Sequence, residues 1–270
     1  MPLPAGFIGI IDSGVGGLAV LRAVRELLPA EALVYVADSG HAPYGDKPAD
    51  YIAGRVDVIV ARLEALGAKA VVIACNTATV TAVEALRARH ALPIVGIEPA
   101  IKPAVAASPR GRILVLATQR TAESAAVATL CARHGGDADI LVQPCPGLAD
   151  LVEAGLVDPT ACDALLRRYL SPTRAERLDA VVLGCTHFTF LEPWLRDLLG
   201  PAVAIIEPSG AVARQLARRL PWAAPADAGG EEYFFTTGAA PREAAAVMSR
   251  LLARRVDVEA AEALGIATNL

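Results

Sequence analysis

Short apolar runs of three to five residues recur along the chain, separated by stretches in which apolar positions fall three and four apart. Residues 7–11, 33–37, 70–74, 94–97, 113–117, 140–142, 180–183 and 204–206 are almost continuously apolar instead of alternating with polar ones. A strand with apolar side chains on both sides must be covered on both faces, the condition of a parallel sheet packed between helices. Residues 18–28, 49–66, 79–90 and 121–134 have the period and length of the covering helices. The pattern predicts an α/β protein. Beyond residue 208 it predicts a helix over 211–220, a Pro/Ala/Gly-rich link, a strand over 233–236 and a last helical stretch. Nothing in that tail says which preceding unit it joins.

The pattern also repeats. Val71-Val72-Ile73-Ala74-Cys75-Asn76-Thr77 is echoed by Val181-Val182-Leu183-Gly184-Cys185-Thr186-His187, 185 − 75 = 110 residues later. Ile97-Glu98-Pro99 is echoed by Ile206-Glu207-Pro208 at 207 − 98 = 109, and residues 8–13 more loosely by 113–118 at 105. Three strand-to-loop junctions at nearly one period predict two similar, open, mainly parallel α/β domains related by pseudo-symmetry. A length of 270 residues suits two units of about 100 residues plus the tail.

Composition narrows the classes. Apolar residues make up 54% and charged ones 20%, enough for a large core and too apolar for disorder. A formal charge of −4 without long Lys/Arg runs speaks against nucleic acid as main ligand. No apolar stretch approaches the roughly 18 residues of a membrane span, and residues 1–6 lack the basic and apolar regions of a secretory signal. The expected location is the cytoplasm. Five cysteines without CxxC spacing are then expected to be free thiols, and Cys185 with His187 has no second ligand cluster to make a metal site.

In open α/β sheets ligands collect beyond the carboxyl ends of the strands. The polar residues there are Asp12-Ser13, Asp38-Ser39, Cys75-Asn76-Thr77, Thr118 and Cys185-Thr186-His187. A single cysteine after a strand is ordinarily a small core residue. Two at equivalent places of two units can instead approach one cleft from opposite sides. Inversion of a stereocentre needs that arrangement: a base on one face of the carbon, an acid on the other, and roles that swap in reverse. Each cysteine precedes a predicted helix whose N-terminus should lower its pKa. Asn76, Thr77, Thr186 and nearby amides could stabilise a carbanion-like transition state. His187 is read as a proton partner of Cys185, and Asp12 as a helix cap or a site acid. Cys131 and Cys162 are read as core, and Cys145 as structural. His41 is a loop residue, solvated or touching ligand, while His90 and His134 end helices.

Two other functions compete. Gly14-Val15-Gly16-Gly17-Leu18-Ala19 follows a strand, with Asp38 about 20 residues on, as in a dinucleotide-binding loop. That would make a nicotinamide-dependent dehydrogenase, although Asp12 would then set a negative charge near the pyrophosphate. The other is a non-enzymatic module closing two lobes around a dicarboxylate.

Residues 11–18 (Ile-Asp-Ser-Gly-Val-Gly-Gly-Leu), Pro43-Tyr44-Gly45, residues 74–79 (Ala-Cys-Asn-Thr-Ala-Thr) and residues 183–188 (Leu-Gly-Cys-Thr-His-Phe) stand in one order. Together they resemble the aspartate/glutamate racemase family, on its glutamate branch, over nearly the whole chain. The resemblance implies cofactor-independent racemisation of glutamate, supplying D-glutamate for bacterial peptidoglycan, with aspartate the nearest alternative substrate. It implies that Cys75, assisted by Asp12, takes the α-proton of D-glutamate, and that Cys185, assisted by His187, takes that of L-glutamate. Glu153 matches a further acidic position, and Asp38 another. Asp12, Ser13, Tyr44, Gly45, Asn76, Thr77, Thr118, Thr186 and His187 would hold the substrate. The resemblance also places 1–97 with 208–270 in the first domain and 98–207 in the second, with the site in the cleft between them, and is compatible with a homodimer. Thr189-Phe190 and Ala117 depart from the usual pattern without removing a proton carrier.

Overall fold

The computed structural model describes residues 3–156, 158–171, 178–225 and 228–267. Among the described residues ten strands alternate with eleven α-helices. The strands are β1 (Ile8–Asp12), β2 (Leu33–Ala37), β3 (Ala70–Ile73), β4 (Ile94–Gly96), β5 (Arg112–Ala117), β6 (Asp139–Pro144), β7 (Ala180–Leu183), β8 (Ala204–Ile206), β9 (Glu232–Thr236) and β10 (Val258–Ala260). The helices are α1 (Leu18–Leu27), α2 (Ala49–Ala65), α3 (Asn76–Arg89), α4 (Ile101–Ala106), α5 (Gln119–Ala122), α6 (Ala125–His134), α7 (Leu148–Glu153), α8 (Pro159–Leu170), α9 (Glu192–Leu199), α10 (Ser209–Arg219) and α11 (Pro241–Leu252).

The strands form two sheets, ordered β10-β9-β2-β1-β3-β4 and β6-β5-β7-β8, and every pairing is parallel. The order β2-β1-β3-β4 of the first sheet recurs as β6-β5-β7-β8 in the second, so the sequence echo is an echo of topology. Cys75 and Cys185 come directly after the equivalent strands β3 and β7, one residue beyond Ala74 and Gly184. The tail, whose place the apolar pattern leaves open, adds β9 and β10 beside β2 in the first sheet.

Burial explains the apolar runs. All of β1, β2, β3 and β7 is buried, each large side chain contributing about 1.5–3 kcal/mol on removal from water. One apolar cluster passes without interruption from Ile10 and Val72 in the first sheet to Leu114, Leu183 and Phe188 in the second lobe. Helix α10, which leaves the second sheet, packs against α1 of the first lobe.

Three predicted elements need correction. The helix expected over 121–134 is broken into α5 and α6, because Ser124 turns out of the helix and caps α6, its hydroxyl accepting from Val127 N–H at 3.2 Å. Helix α3 begins at Asn76, three residues earlier than the period indicates, with Cys75 as its N-cap. Cys185 leads not into an α-helix but into a 3-10 segment, Thr186–Leu191, before α9, and makes no side-chain cap bond. His90 does more than end α3: its ring meets Glu64 at 2.7 Å and Asp57 at 3.1 Å, tying α3 to α2.

Candidate active site

A cavity of about 250 Å³ lies where the carboxyl ends of the two sheets face each other. The first lobe lines it with Ser13, Tyr44, Gly45, Cys75, Asn76 and Thr77, and the second with Thr118, Glu153, Cys185 and His187. Both thiols therefore border one space of amino-acid size. Asp12 and Thr186 are not on the wall. They lie buried behind it, joined to each other across the lobes by Thr186 Oγ1 donating to Asp12 Oδ1 at 3.3 Å. Asp12 also accepts from Gly14 N–H at 3.1 Å, and burial raises its carboxyl above 3.8 although the His187 charge pulls the other way.

The two thiols have different surroundings. Cys75 Sγ accepts from Ala78 N–H at 3.5 Å, as a helix cap does, and donates to Ser13 Oγ at 3.7 Å. Burial and then the charge of Asp12 nevertheless push the thiol up to about 12. The expected lowering by the helix N-terminus is present but outweighed. Cys185 Sγ lies 3.7 Å from His187 Nδ1, and His187 Nε2 lies 2.5 Å from Glu153 Oε1. Burial works against an imidazolium there, yet the contacts with Cys185 and Glu153 hold the His187 pKa well above 6.5.

Glu153 explains the glycine loop. Its Oε1 accepts from Val15 N–H at 2.8 Å, and a Cβ at Gly14 would sit 1.8 Å from the same oxygen. A Cβ at Gly16 would sit 2.4 Å from His187 Nδ1. The glycines admit side chains of the second lobe to the first-lobe loop, and the loop's amide is already used by a carboxylate of this chain. Asp38 is fully buried and accepts from Tyr44 Oη at 2.6 Å and Thr237 Oγ1 at 2.9 Å, so it is not a ribose-binding acid. The dinucleotide reading fails on both counts.

The lining groups suit a zwitterion with carboxylates. Among the described residues no Lys or Arg lines the cavity, so anionic groups must be met by hydroxyls and amides. Thr77 Oγ1 lies 2.9 Å from Thr118 Oγ1 and 3.2 Å from Thr121 Oγ1, a cluster spanning the lobes. Asn76 Nδ2 donates to Ile97 O at 3.4 Å, while its Oδ1 has no hydrogen-bond partner among the described residues. Ser39, which the strand-end pattern marks beside Asp38, also lines the cavity, as do Ala42, Ala149 and Asp150, which carry no site signal of their own in the sequence. The i, i+3 spacing of Asp150 and Glu153 on one short helix is the feature that could draw attention to α7. His41 is neither solvated nor on the wall: it is buried and bonded to Tyr51 Oη. Cys145 and Cys162 are buried, whereas Cys131, expected in the core, is only half-buried.

A family model described as Asp/Glu/Hydantoin racemase matches residues 8–216. The chain belongs to this family. Among its racemase relatives, the glutamate racemase of Ectopseudomonas mendocina is 52% identical over 214 residues, 79% of this chain and 81% of that protein. The structure resembles a glutamate racemase isoform from Bacillus anthracis with a TM-score of 0.84 at 30% identity, covering 94% of this chain and 97% of the other. It resembles Escherichia coli glutamate racemase, solved with L-glutamate and the activator UDP-MurNAc-Ala, equally well: TM-score 0.84, 32% identity, and 95% and 98% covered. The racemase resemblance carried by the four sequence motifs is thus a family membership, and two parallel sheets are its fold. No described helix is long and apolar enough to cross a membrane.

Proposed function

We propose that the protein interconverts L- and D-glutamate without a cofactor, Cys75 and Cys185 working as acid and base on opposite faces of the α-carbon. The observation that carries this is the pair of thiols, one from each lobe, bordering a single cavity. With L-glutamate, Cys185 takes the α-proton, its S–H bond forming as the C–H bond breaks. The Cys75 thiol then gives its proton to the other face, and the new C–H bond completes D-glutamate. The enzyme is left with Cys185 protonated and Cys75 ionised, which is the starting form for the reverse reaction. His187 with Glu153 on one side, and Asp12 on the other, are the groups through which protons return.

The α-proton is weakly acidic, so the transition state needs hydrogen bonds aimed at the negative charge that develops. Asn76, Thr77, Thr118 and Ser13 are the candidates on the wall, with the unpartnered Asn76 Oδ1 suited to an ammonium. Tyr44 and Gly45 close the far wall, and Thr186 steadies Asp12. On this reading residues 1–97 with 208–270 form one domain and 98–207 the other, a division supported by the two sheets. D-glutamate so made serves peptidoglycan synthesis in a bacterial cytoplasm, and a homodimer is compatible with the family. The test incubates purified protein with L-glutamate, and separately L-aspartate, with no cofactor added, and follows optical rotation. Rotation is expected to decay to zero with glutamate. Decay only with aspartate, or only after adding pyridoxal phosphate, would overturn the reading.

A further inference from the structure

Behind the Tyr44 wall lies an ion pair that the proposed chemistry does not use. Arg55, on α2, and Asp38, after β2, are both 0% exposed. Arg55 donates to both carboxylate oxygens, Nη2 to Oδ1 at 2.6 Å and Nε to Oδ2 at 3.2 Å. The same carboxylate accepts from Tyr44 Oη and Thr237 Oγ1. Thr237 Oγ1 in turn accepts from Gly40 N–H at 3.0 Å. Four donors thus converge on one buried carboxylate, and two of the groups it holds, Tyr44 directly and Gly40 through Thr237, belong to the loop that walls the cavity.

We infer that Arg55 is a positioning residue for substrate binding, fixing Asp38 and through it the Tyr44–Gly45 wall of the cavity. Arg55 does not line the cavity. Its remaining arm is anchored too, Nη1 donating to Ala267 O at 2.9 Å, so the fork cannot swing away from Asp38. A buried ion pair adds little net stability compared with apolar packing, whereas a two-point fork fixes direction. Direction is what this site needs. Gly45 stands so close to the second lobe that a Cβ there would lie 3.4 Å from Thr118 Cβ, so a tilt of Tyr44 alters the cavity on both sides.

The inference rests on the proposed reaction, and the experiment separates the two. Arg55→Lys keeps a cation without the fork, and the double variant Arg55→Gln/Asp38→Asn removes the pair without stranding a buried charge. Each is expected to raise the KM for L-glutamate about tenfold, the worth of one charge-assisted hydrogen bond, with kcat within about threefold of the parent. A purely structural role would lower the folded fraction and with it the apparent kcat, leaving KM unmoved; that result overturns the inference. If neither variant folds, Tyr44→Phe takes their place, with the same rise in KM expected and an unchanged KM contradicting. If the parent does not turn over glutamate, the proposed reaction fails. The inference is then read from glutamate affinity by calorimetry, and unchanged affinity in these variants, or none in the parent, overturns it.

Discussion

Cys75 and Cys185 are chemically the same residue in two different fields. Their positions are legible in the sequence because each closes an apolar strand and opens a polar turn. The direction of the Cys75 shift is not, because a helix N-terminus shows in the pattern while burial beside Asp12 does not. With its thiol pushed up to about 12, Cys75 holds its proton at neutral pH, which is the form the proposed reaction requires of it when L-glutamate is the substrate. On the other side the charge of His187 depends on Glu153. The His187 pKa is raised, so its cation is present at low pH and lost as pH rises through that value. Glu153→Gln removes one support and lowers it. The alkaline limb of kcat/KM is therefore expected to move to lower pH, with kcat/KM down about 100-fold. Because the two enantiomers are equally stable, that fall must be the same from L- and from D-glutamate. An unmoved alkaline limb would remove Glu153 from the proton path.

At the scale of elements, strands are easier to read from the sequence than the turns and helices they lead into. Residues 33–37, 180–183 and 204–206 are strands with the expected bounds, since a continuous apolar run ends sharply at its polar neighbours. Helix starts are less legible: Asn76 and Thr77 belong to α3 but face the cavity, so polarity hides the first turn. The glycine loop misleads for a related reason. Its glycines make room, and the sequence cannot say whether for a phosphate or for Glu153 and His187. Gly16→Ala should therefore drive the imidazole off Cys185, cutting activity about 100-fold or more while the protein remains folded. Gly54→Ala on α2 is the control, since among the described residues the added Cβ meets no atom within 4 Å beyond its own stretch of helix. It should stabilise the helix by about 0.5–1 kcal/mol and leave turnover unchanged. Equal activity of the two variants would refute the packing explanation.

At the scale of the molecule, two units of like topology meet end to end and the tail returns to the first. The duplication is legible from three echoes; the destination of the tail is not, because β9 pairs with a strand some two hundred residues earlier in the chain. The tail is structural as well as late. It covers the edge of β2 and supplies Thr237 to Asp38 and Ala267 to Arg55. A chain ending at residue 220 would bare that edge and take Thr237 from Asp38 and Ala267 from Arg55, and is expected to aggregate, which gel filtration would show; a soluble, active product would contradict the assigned packing. The opposed lobes themselves are tested most directly by hydrogen exchange during the first turnover in heavy water. Starting from L-glutamate, the D-glutamate formed should carry one α-deuterium while the remaining L-glutamate stays protiated, since the group that removes the proton is not the group that delivers the new one. Deuterium entering the L-glutamate pool as fast as D-glutamate appears would mean one base serving both faces, and would contradict the two-thiol mechanism.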